Sequence, residues 1–304
     1  MKKVKVIVNP VSGRGDGEKS IPDIQKKLET LGVTYDLVRT EKPLHATELA
    51  EKAVMEGYEI IAAAGGDGTA NEVLNGIMAA KARGKSAVMA VLTVGRGNDF
   101  AFGVNIEHNL DTDCRLLAEG HTKTIDVGFV KGGLYPDGRY FGNGVGIGFD
   151  AVVGFEALKM KHLSGFLSYL VAALKTIFLY FHAPLVELEF NGKKQELSAL
   201  MVSIMNGRRM GGGFMMAPYG QVDDGLLNLC IAREVSRLKL FGLIGLFTKG
   251  TQESHKAIIT AQTKRIKVTA LEGVLPAHAD GETLCVDGKE LSIELLPGQL
   301  DIIC

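Results

Sequence analysis

The 304-residue chain lacks several features that mark common protein classes. Its four cysteines, Cys114, Cys230, Cys285 and Cys304, lie far apart, and none of their spacings is that of a zinc site. We therefore expect reduced thiols, as in a cytoplasmic protein, rather than a disulfide framework. The formal net charge is only −1, which gives no support to a nucleic-acid binder that works through bulk positive charge.

The sequence also lacks a long run of purely apolar residues. The apolar run near the N-terminus covers only Val4–Val8, which is too short for a signal peptide and predicts a strand. Residues 163–183 are nearly enough to cross a bilayer, but Ser164, Ser168 and Lys175 recur there at helical spacing. This pattern predicts an amphipathic helix that packs on a core or lies against a surface.

What the sequence does contain is a regular alternation of strand and helix patterns over about the first 125 residues. Apolar runs predict strands at 4–8, 34–38, 59–64, 87–92 and 124–130, with helices near 18–31, 44–56, 69–82 and 109–118. Strands that alternate with helices at this spacing indicate an α/β domain with a parallel sheet and crossover helices on its faces.

The pattern changes after about residue 125. Short β-branched runs at 185–190, 197–204, 226–232, 265–270, 283–286 and 291–295 predict strands, and helical patterns are few, near 149–161, 163–183 and 235–248. Short strands separated by turns favour antiparallel pairing. The predicted fold class is therefore α/β, with an N-terminal parallel-sheet domain and a mainly antiparallel C-terminal domain.

The predicted third strand is followed by the stretch GGDGTANEVL, residues 65–74. Its glycines permit backbone conformations and close approaches that side chains would block. Thr69 and Glu72 match a T-x-x-E capping box, which predicts a helix start whose free N–H groups suit a phosphate. Asp67 fits such an anion site if a divalent cation accompanies the phosphates, or if Asp67 positions a donor. The alternative is a capped tight turn in which Asp67 makes a local hydrogen bond.

Glycine turns follow two other predicted strands. Residues 9–15, NPVSGRG, follow the first strand, and residues 95–101, GRGNDFA, follow the fourth. Because the carboxyl ends of parallel strands lie at one edge of a sheet, we expect the three turns to form a single polar rim. The P-loop and dinucleotide-binding patterns both fail in the first turn, because Glu18 stands where each needs a glycine.

These motifs resemble those of the bacterial diacylglycerol kinases, lipid kinases that are related to NAD kinases and phosphofructokinases. The resemblance covers essentially the whole chain, with N-P-x-S-G at 9–13, G-G-D-G-T-x-N-E-V at 65–73, G-x-G-N-D-F-A at 95–101, D-D-G-L at 223–226 and D-G-E at 280–282. The G-G-D-G-T turn does not separate the three groups, whereas the N-P-x-S-G, N-D-F-A and D-D-G-L motifs point to lipid kinases.

The resemblance implies an organisation and an activity. It implies a nucleotide-binding α/β domain at 1–124, completed by a return of 296–304, and a β-sandwich lipid-substrate domain at 125–295, with the active site in the cleft between them. The implied reaction is ATP- and Mg²⁺-dependent transfer of the γ-phosphoryl group to a hydroxyl of diacylglycerol or a related lipid. A NAD kinase-like enzyme for a soluble substrate and a catalytically weak nucleotide-binding regulator remain alternatives.

The resemblance also assigns roles to individual residues. Those on the nucleotide side are Asn9, Arg14, Thr40, Gly65, Gly66, Gly68, Thr69, Gly95, Arg96 and Asn98. Asp67 acts in catalysis beside the phosphates and their magnesium, and Glu282 takes the proton from the lipid hydroxyl. The predicted metal ligands are Asp99, Asp126, Asp223 and Asp224, and Lys161 is placed at the substrate cleft. An ordinary cap, turn or surface role is the alternative for Arg14, Thr40, Asp99, Lys161, Asp223, Asp224 and Glu282.

One motif departs from the family pattern. Where the family commonly has P-x-G-T-x-N-D-F-A, this chain has Thr93 for the proline and Arg96 for the threonine. Arg96 is expected to add charge at the phosphates or to alter the choice of acceptor. The aspartates of the motifs remain, so activity as such is not obviously lost.

A lipid acceptor requires contact with a membrane surface. The apolar face of 163–183 and the apolar stretch 237–249, which has basic flanks, are the candidate contacts. Burial of 237–249 in the second domain or in a homodimer contact is the alternative. We expect a cytoplasmic protein that binds the membrane peripherally and does not bind nucleic acid.

Overall fold

The structure is a computed structural model that describes residues 2–95, 97–160, 166–179 and 182–304. The chain separates into two compact units. The first consists of Met1–Asp126 and Gly298–Cys304, and the second of Val127–Pro297.

The first unit contains a parallel sheet with helices between its strands. The strands are β1 (Val4–Val8), β2 (Tyr35–Arg39), β3 (Ile60–Gly65) and β4 (Val88–Thr93), and the helices are α1 (Asp16–Thr30), α2 (His45–Met55), α3 (Asp67–Ala82), α4 (Asp99–Gly103) and α5 (Leu110–Glu119). The strand order is β2-β1-β3-β4, with parallel pairing throughout. Beyond β4, the C-terminal segment adds a further parallel pair, Ile302 with Met89. All six positions of β3 are buried, as expected for a strand covered on both faces.

The second unit is dominated by antiparallel strands. Its strands are β5 (Thr122–Gly132, which begins in the first unit), β6 (Tyr135–Phe141), β7 (Gly144–Gly148), β8 (Leu185–Phe190), β9 (Lys193–Met205), β10 (Leu227–Arg233), β11 (Ile258–Thr263), β12 (Arg265–Ala270), β13 (Leu275–Ala279), β14 (Glu282–Gly288) and β15 (Glu290–Ile303, which ends in the first unit). Neighbours along β14-β13-β7-β9-β8-β12-β15 are antiparallel. The predicted fold class is confirmed.

Three longer helices lie in the second unit: α6 (Phe149–Leu158), α7 (Phe166–Leu179) and α8 (Arg237–Lys249). Their apolar residues form a core with β9 and β10, which includes Phe149, Ile177, Leu200, Cys230 and Leu243. A second core fills the strand region of this unit. The helices therefore cover one apolar part of the antiparallel unit.

Helix α7 is amphipathic in an unexpected sense. Its small residues face inward, because Ser168 and Ala172 are buried, whereas Leu167 is 53% exposed and Phe178 is 64% exposed. Small side chains allow the helix to approach its neighbours closely. Some larger apolar side chains, such as Leu167 and Phe178, are therefore left on the surface, whereas Ile177 is buried. Over the part of the chain that is described, no helix is long and apolar enough to cross a bilayer.

Candidate functional site

The glycine turns after β3 and β4 touch each other through their backbones. A Cβ atom added to Gly95 would lie 2.4 Å from the Cα atom of Gly66. A Cβ atom added to Gly66 would lie 2.9 Å from the carbonyl oxygen of Gly97. The N–H group of Asp67 donates a hydrogen bond to that same oxygen over 3.1 Å. The two turns therefore form one compact structure that a side chain at 66 or 95 would force apart.

Asp67 links the helices that follow these two turns. Its Oδ1 atom accepts a hydrogen bond of 2.9 Å from the backbone N–H of Phe100, in the first turn of α4. Asp67 is itself the first residue of α3. This bond joins residues that are far apart in the sequence, so it is a tertiary contact and not the local hydrogen bond considered from the sequence. A carboxylate has about four acceptor positions, so one such bond does not use all of them.

Asn9 connects the first glycine turn to the start of α3. Its Nδ2 group donates to Oγ1 of Thr69 over 3.1 Å. Its Oδ1 atom accepts from the N–H of Val11, and its own N–H donates to the carbonyl of Ala64 at the end of β3. The Thr69 hydroxyl packs over Gly65, where a Cβ atom would lie 2.3 Å from Oγ1. The structure thus brings all three turns together in the first unit.

The predicted capping box is wrong. Helix α3 has Gly66 as its N-cap with no side-chain cap, and the Thr69 hydroxyl is bonded to Asn9 instead. The carboxylate of Glu72 accepts hydrogen bonds from the N–H groups of Leu44 and Ala46, at 3.0 and 2.9 Å. Glu72 therefore caps the start of α2, because the tertiary contact between α2 and α3 competes successfully with the local one.

The other predicted nucleotide-side residues surround the same edge of the sheet. Thr40 directly follows β2, and its N–H donates to the carbonyl of Val8 at the end of β1 over 2.9 Å. Asn98 donates through Nδ2 to the carbonyl of Gly95 over 3.1 Å, which closes the turn after β4. Arg14 is exposed in the first turn, with a left-handed φ of 66°.

Two predicted residues, Arg96 and Lys161, lie outside the described residues. Gly68 lies in the first turn of α3, next to Thr69. The N–H groups at the start of a helix have no partners within the helix, so those of Gly68 and Thr69 can be donated to an anion. No intrahelical contact competes with a ligand for these two donors.

The four predicted metal ligands lie in different environments. Asp99 and Asp126 are buried, and Oδ1 of Asp126 accepts a 2.8 Å hydrogen bond from the N–H of Gly298. Asp223 and Asp224 are exposed on the second unit. Among the described residues, no three acidic, histidine or cysteine side chains are grouped as a metal centre. Mg²⁺ is usually held by one or two carboxylates plus substrate phosphates, so its binding does not require such a group.

A buried pair missed from the sequence supports the turn after β4. Asp113 of α5 accepts hydrogen bonds at one oxygen, Oδ2, from the N–H and hydroxyl groups of Thr93, at 2.8 and 2.6 Å. Thr93 stands where the family commonly has proline, which has no N–H group. Burial raises the pKa of Asp113, while the bonds from Thr93 and the nearby His108 oppose that rise. The unusual threonine is visible in the sequence, but the sequence does not identify Asp113 as its partner, because Asp113 is 20 residues away.

We predict that Asp113→Asn becomes more stable relative to the unchanged protein as the pH rises above the ordinary aspartate pKa of about 4. Because the pKa of Asp113 is higher in the folded state, the unfolded chain ionises first as the pH rises, and stability is lost until the folded protein has ionised too. Asparagine retains the acceptor for Thr93 without the charge. Urea unfolding at several pH values measures the difference, and a difference independent of pH would contradict the prediction.

Asp113→Ala provides the matched control for this experiment. It leaves the buried N–H and hydroxyl groups of Thr93 without their acceptor, which costs about 1–3 kcal/mol of unfolding free energy. Measured relative to Asp113→Asn, that loss should not depend on pH, because neither alanine nor asparagine titrates.

Glu282 is the first residue of β14 and is partly exposed. It pairs across the hairpin with Ala279, the last residue of β13, so only Asp280 and Gly281 form the loop. A partly exposed carboxylate at a rigid strand end is accessible to a substrate.

The second unit also contains an apolar cavity of about 40 Å³. It lies among α6, α7, α8 and the strands β9 and β10, and its lining residues are Phe149, Asp150, Val153, Ala173, Leu200, Met201, Phe214, Met216, Ala232, Leu240, Leu243, Ile244 and Phe247. Among these lining residues, Asp150 alone is ionisable. The lining is therefore almost entirely apolar, but the volume is well below the roughly 300 Å³ of a small ligand pocket.

Comparison with protein families matches both parts of the chain. The model of the diacylglycerol kinase catalytic domain matches residues 3–130. The model of the YegS C-terminal NAD kinase beta sandwich-like domain matches residues 143–304. The two matches follow the α/β and antiparallel parts of the fold.

Individual relatives agree with these matches. A diacylglycerol kinase of Staphylococcus aureus (strain bovine RF122 / ET3-1) is 30% identical over 282 residues, which is 92% of this chain and 86% of the relative. The crystal structure of a candidate diacylglycerol kinase of Bacillus anthracis (strain Sterne) superposes with a TM-score of 0.80 at 25% identity and covers 99% of this chain and 96% of that one. A further Bacillus anthracis structure, at 24% identity, has a TM-score of 0.79.

Proposed function

Because this chain belongs to the diacylglycerol kinase family, we propose that it transfers the γ-phosphoryl group of ATP to a hydroxyl of diacylglycerol or a related lipid, with Mg²⁺. The observation that carries the proposal is the junction of the three glycine turns around Asp67. Phosphoryl transfer depends on positioning and charge neutralisation more than on covalent chemistry, and this junction offers both.

On the nucleotide side, the start of α3 supplies N–H groups and the positive end of a 16-residue helix. The glycines at 65, 66 and 95 allow the turns to pack directly against Thr69 and against each other, which holds the start of α3 in place for the phosphates. Asn9 and Thr69 hold the first turn against the helix. Mg²⁺ would be held by Asp67 with Asp99 or Asp126, and when bound it neutralises charge on the phosphates.

The acceptor is proposed to be a lipid because the catalytic-domain model that matches residues 3–130 is that of diacylglycerol kinases. The Staphylococcus aureus relative, 30% identical over 92% of this chain, is also a diacylglycerol kinase. These matches favour the lipid kinase over the NAD kinase-like alternative.

Apolar side chains on the surface support peripheral membrane binding. Leu167 and Phe178 of α7 are exposed, and so are Leu238 and Phe241 of α8, at 83% and 38%. The rings of Phe178 and Phe241 are 6.0 Å apart, so the two helices present one apolar patch. Lys239 in the same helix as Leu238 adds positive charge, which suits an anionic membrane.

A screen with labelled ATP tests the proposed function. The purified protein is given diacylglycerol, phosphatidylglycerol, sphingosine, polyprenol or NAD, with and without Mg²⁺. We expect Mg²⁺-dependent labelling of a lipid and none of NAD. Labelling of NAD without lipid would establish the soluble-substrate alternative, and ATP binding with no product in any arm would establish the regulator.

The same preparation tests membrane binding by flotation with vesicles of phosphatidylcholine, with or without anionic phosphatidylglycerol. We expect enrichment on the anionic vesicles and its loss in Phe178→Ser/Phe241→Ser. Dimers in solution that dissociate in this variant, with no flotation of the unchanged protein, would instead assign the patch to a homodimer contact.

A further inference from the structure

The loop that carries Glu282 has an unusual anchor. Asp280 and Gly281 join β13 to β14, and both have left-handed backbones, with φ of 49° and 86°. A two-residue hairpin loop with positive φ at both positions is a type I′ turn, and Asp-Gly is a favoured sequence for it. In such turns the first side chain is usually free to face solvent. Here the side chain of Asp280 is instead 94% buried, with an exposure of 6%.

The Asp280 carboxylate lies in a cradle of backbone N–H groups. Its Oδ2 atom accepts from Gly142 over 2.7 Å, and its Oδ1 atom accepts from Asn143 and Gly144 over 3.0 and 2.9 Å. Its own N–H donates to the carbonyl of Gly144 over 3.0 Å. Hydrogen bonds to a carboxylate are about twice as strong as neutral ones, so these contacts fix the turn against the start of β7.

A second contact holds the other residue of the loop. The N–H of Gly281 donates to Nδ1 of His278 over 3.2 Å. In the neutral ring the proton is then on Nε2, which lies 3.9 Å from Oδ1 of Asp150. Asp150 is fixed in turn by the hydroxyl of Ser203, over 3.0 Å. Both residues of the loop are thus connected to buried groups of neighbouring strands and of α6.

We propose that Asp280 is a positioning residue for Glu282. The inference rests on the proposed function, in which Glu282 takes the proton from the lipid hydroxyl. The backbone of Asp280 and Gly281 is enough to form the turn. The three hydrogen bonds at the Asp280 carboxylate therefore serve a further purpose, which is to fix the position of the turn against β7. Because Glu282 directly follows the turn, a shift of Asp280 moves the base, and about 1 Å of misplacement costs about 100-fold in rate.

Asp280→Asn tests the proposal directly. An amide retains one acceptor oxygen, but its NH₂ group must face a backbone N–H of the cradle, so the turn cannot keep its place. We expect kcat for lipid phosphorylation to fall about 100-fold, with KM for ATP unchanged. Asp287→Asn, which changes an exposed acid of the same hairpin, should leave kcat as it is.

Asp280→Gly is a second variant, which keeps the test valid if Asp280→Asn fails to fold. Gly-Gly is also a favoured type I′ sequence, so the hairpin is retained while the anchor is removed. We again expect a fall in kcat, with a lower thermal midpoint because three N–H groups lose their acceptor, but with the cooperative melt of a folded protein. A well-folded Asp280→Gly variant with unchanged kcat would overturn the proposal.

The double variant with Glu282→Gln separates positioning from a general structural role. If Asp280 acts through Glu282, either Asp280 variant adds little to the loss caused by Glu282→Gln. Fully additive losses would overturn the positioning role while leaving the proposed function in place. A lipid-inactive unchanged protein would instead overturn the proposed function, and the base assigned to Glu282 with it.

Discussion

Asp67→Asn is expected to lower kcat for phosphoryl transfer about 1,000-fold and leave the fold intact. Asparagine can still accept the 2.9 Å hydrogen bond from the N–H of Phe100, so the junction of the two turns is retained. What is lost is the negative charge, which in the proposed mechanism holds a cation beside the phosphates. The measurement is steady-state turnover with diacylglycerol in vesicles, together with a thermal melt.

Measurements of ATP binding distinguish the loss of the Asp67 charge from a disturbance of the turns around it. With calorimetry, we expect the affinity of Asp67→Asn for ATP without Mg²⁺ to equal or exceed that of the unchanged protein, because a negative charge beside the phosphates has been removed. The gain in affinity on adding Mg²⁺ should be reduced. Asp23→Asn, a change of an exposed acid on α1, is the matched control and should alter neither quantity. Full turnover by Asp67→Asn would show that this carboxylate has no catalytic role.

The fold of the first unit is largely predictable from its sequence. Buried parallel strands are continuous apolar runs, so β3, predicted at 59–64, is found at Ile60–Gly65. Four strands of the second unit were not predicted, β6, β7, β11 and β13. Strand β7 reads GVGIG, and its glycine at 146 leaves room for Asp150 and His278. Glycine has a low strand propensity, so packing rather than local sequence decides such a strand.

The sequence predicted which strand ends come together in the candidate site. Parallel topology puts the three turns at one edge, and their contacts through Asn9, Gly66 and Gly95 agree with that expectation. The partners of individual side chains were not predictable. Glu72 bonds to the N–H groups of Leu44 and Ala46 at the start of α2, 28 and 26 residues before it, and no local pattern encodes that contact. Arrangements of this kind depend on the packing of distant elements.

Glu282→Gln is the second change for which we expect a large effect. General base catalysis contributes about 100- to 10,000-fold, so kcat for lipid phosphorylation should fall within that range. Glutamine is nearly the same size, and Glu282 pairs through its backbone with Ala279, so the hairpin should fold as before. ATP affinity should be unchanged, because the proposed role concerns the hydroxyl and not the nucleotide.

The split between kcat and KM distinguishes a base from a binding group. If Glu282 takes the proton from the lipid hydroxyl, Glu282→Gln lowers kcat and leaves KM for the lipid close to that of the unchanged protein. A residue that only binds the lipid would instead raise KM and leave kcat as it is. Glu294→Gln, which changes an exposed glutamate on β15, is the matched control and should alter neither quantity. A Glu282→Gln variant with full kcat would assign the proton transfer to another group.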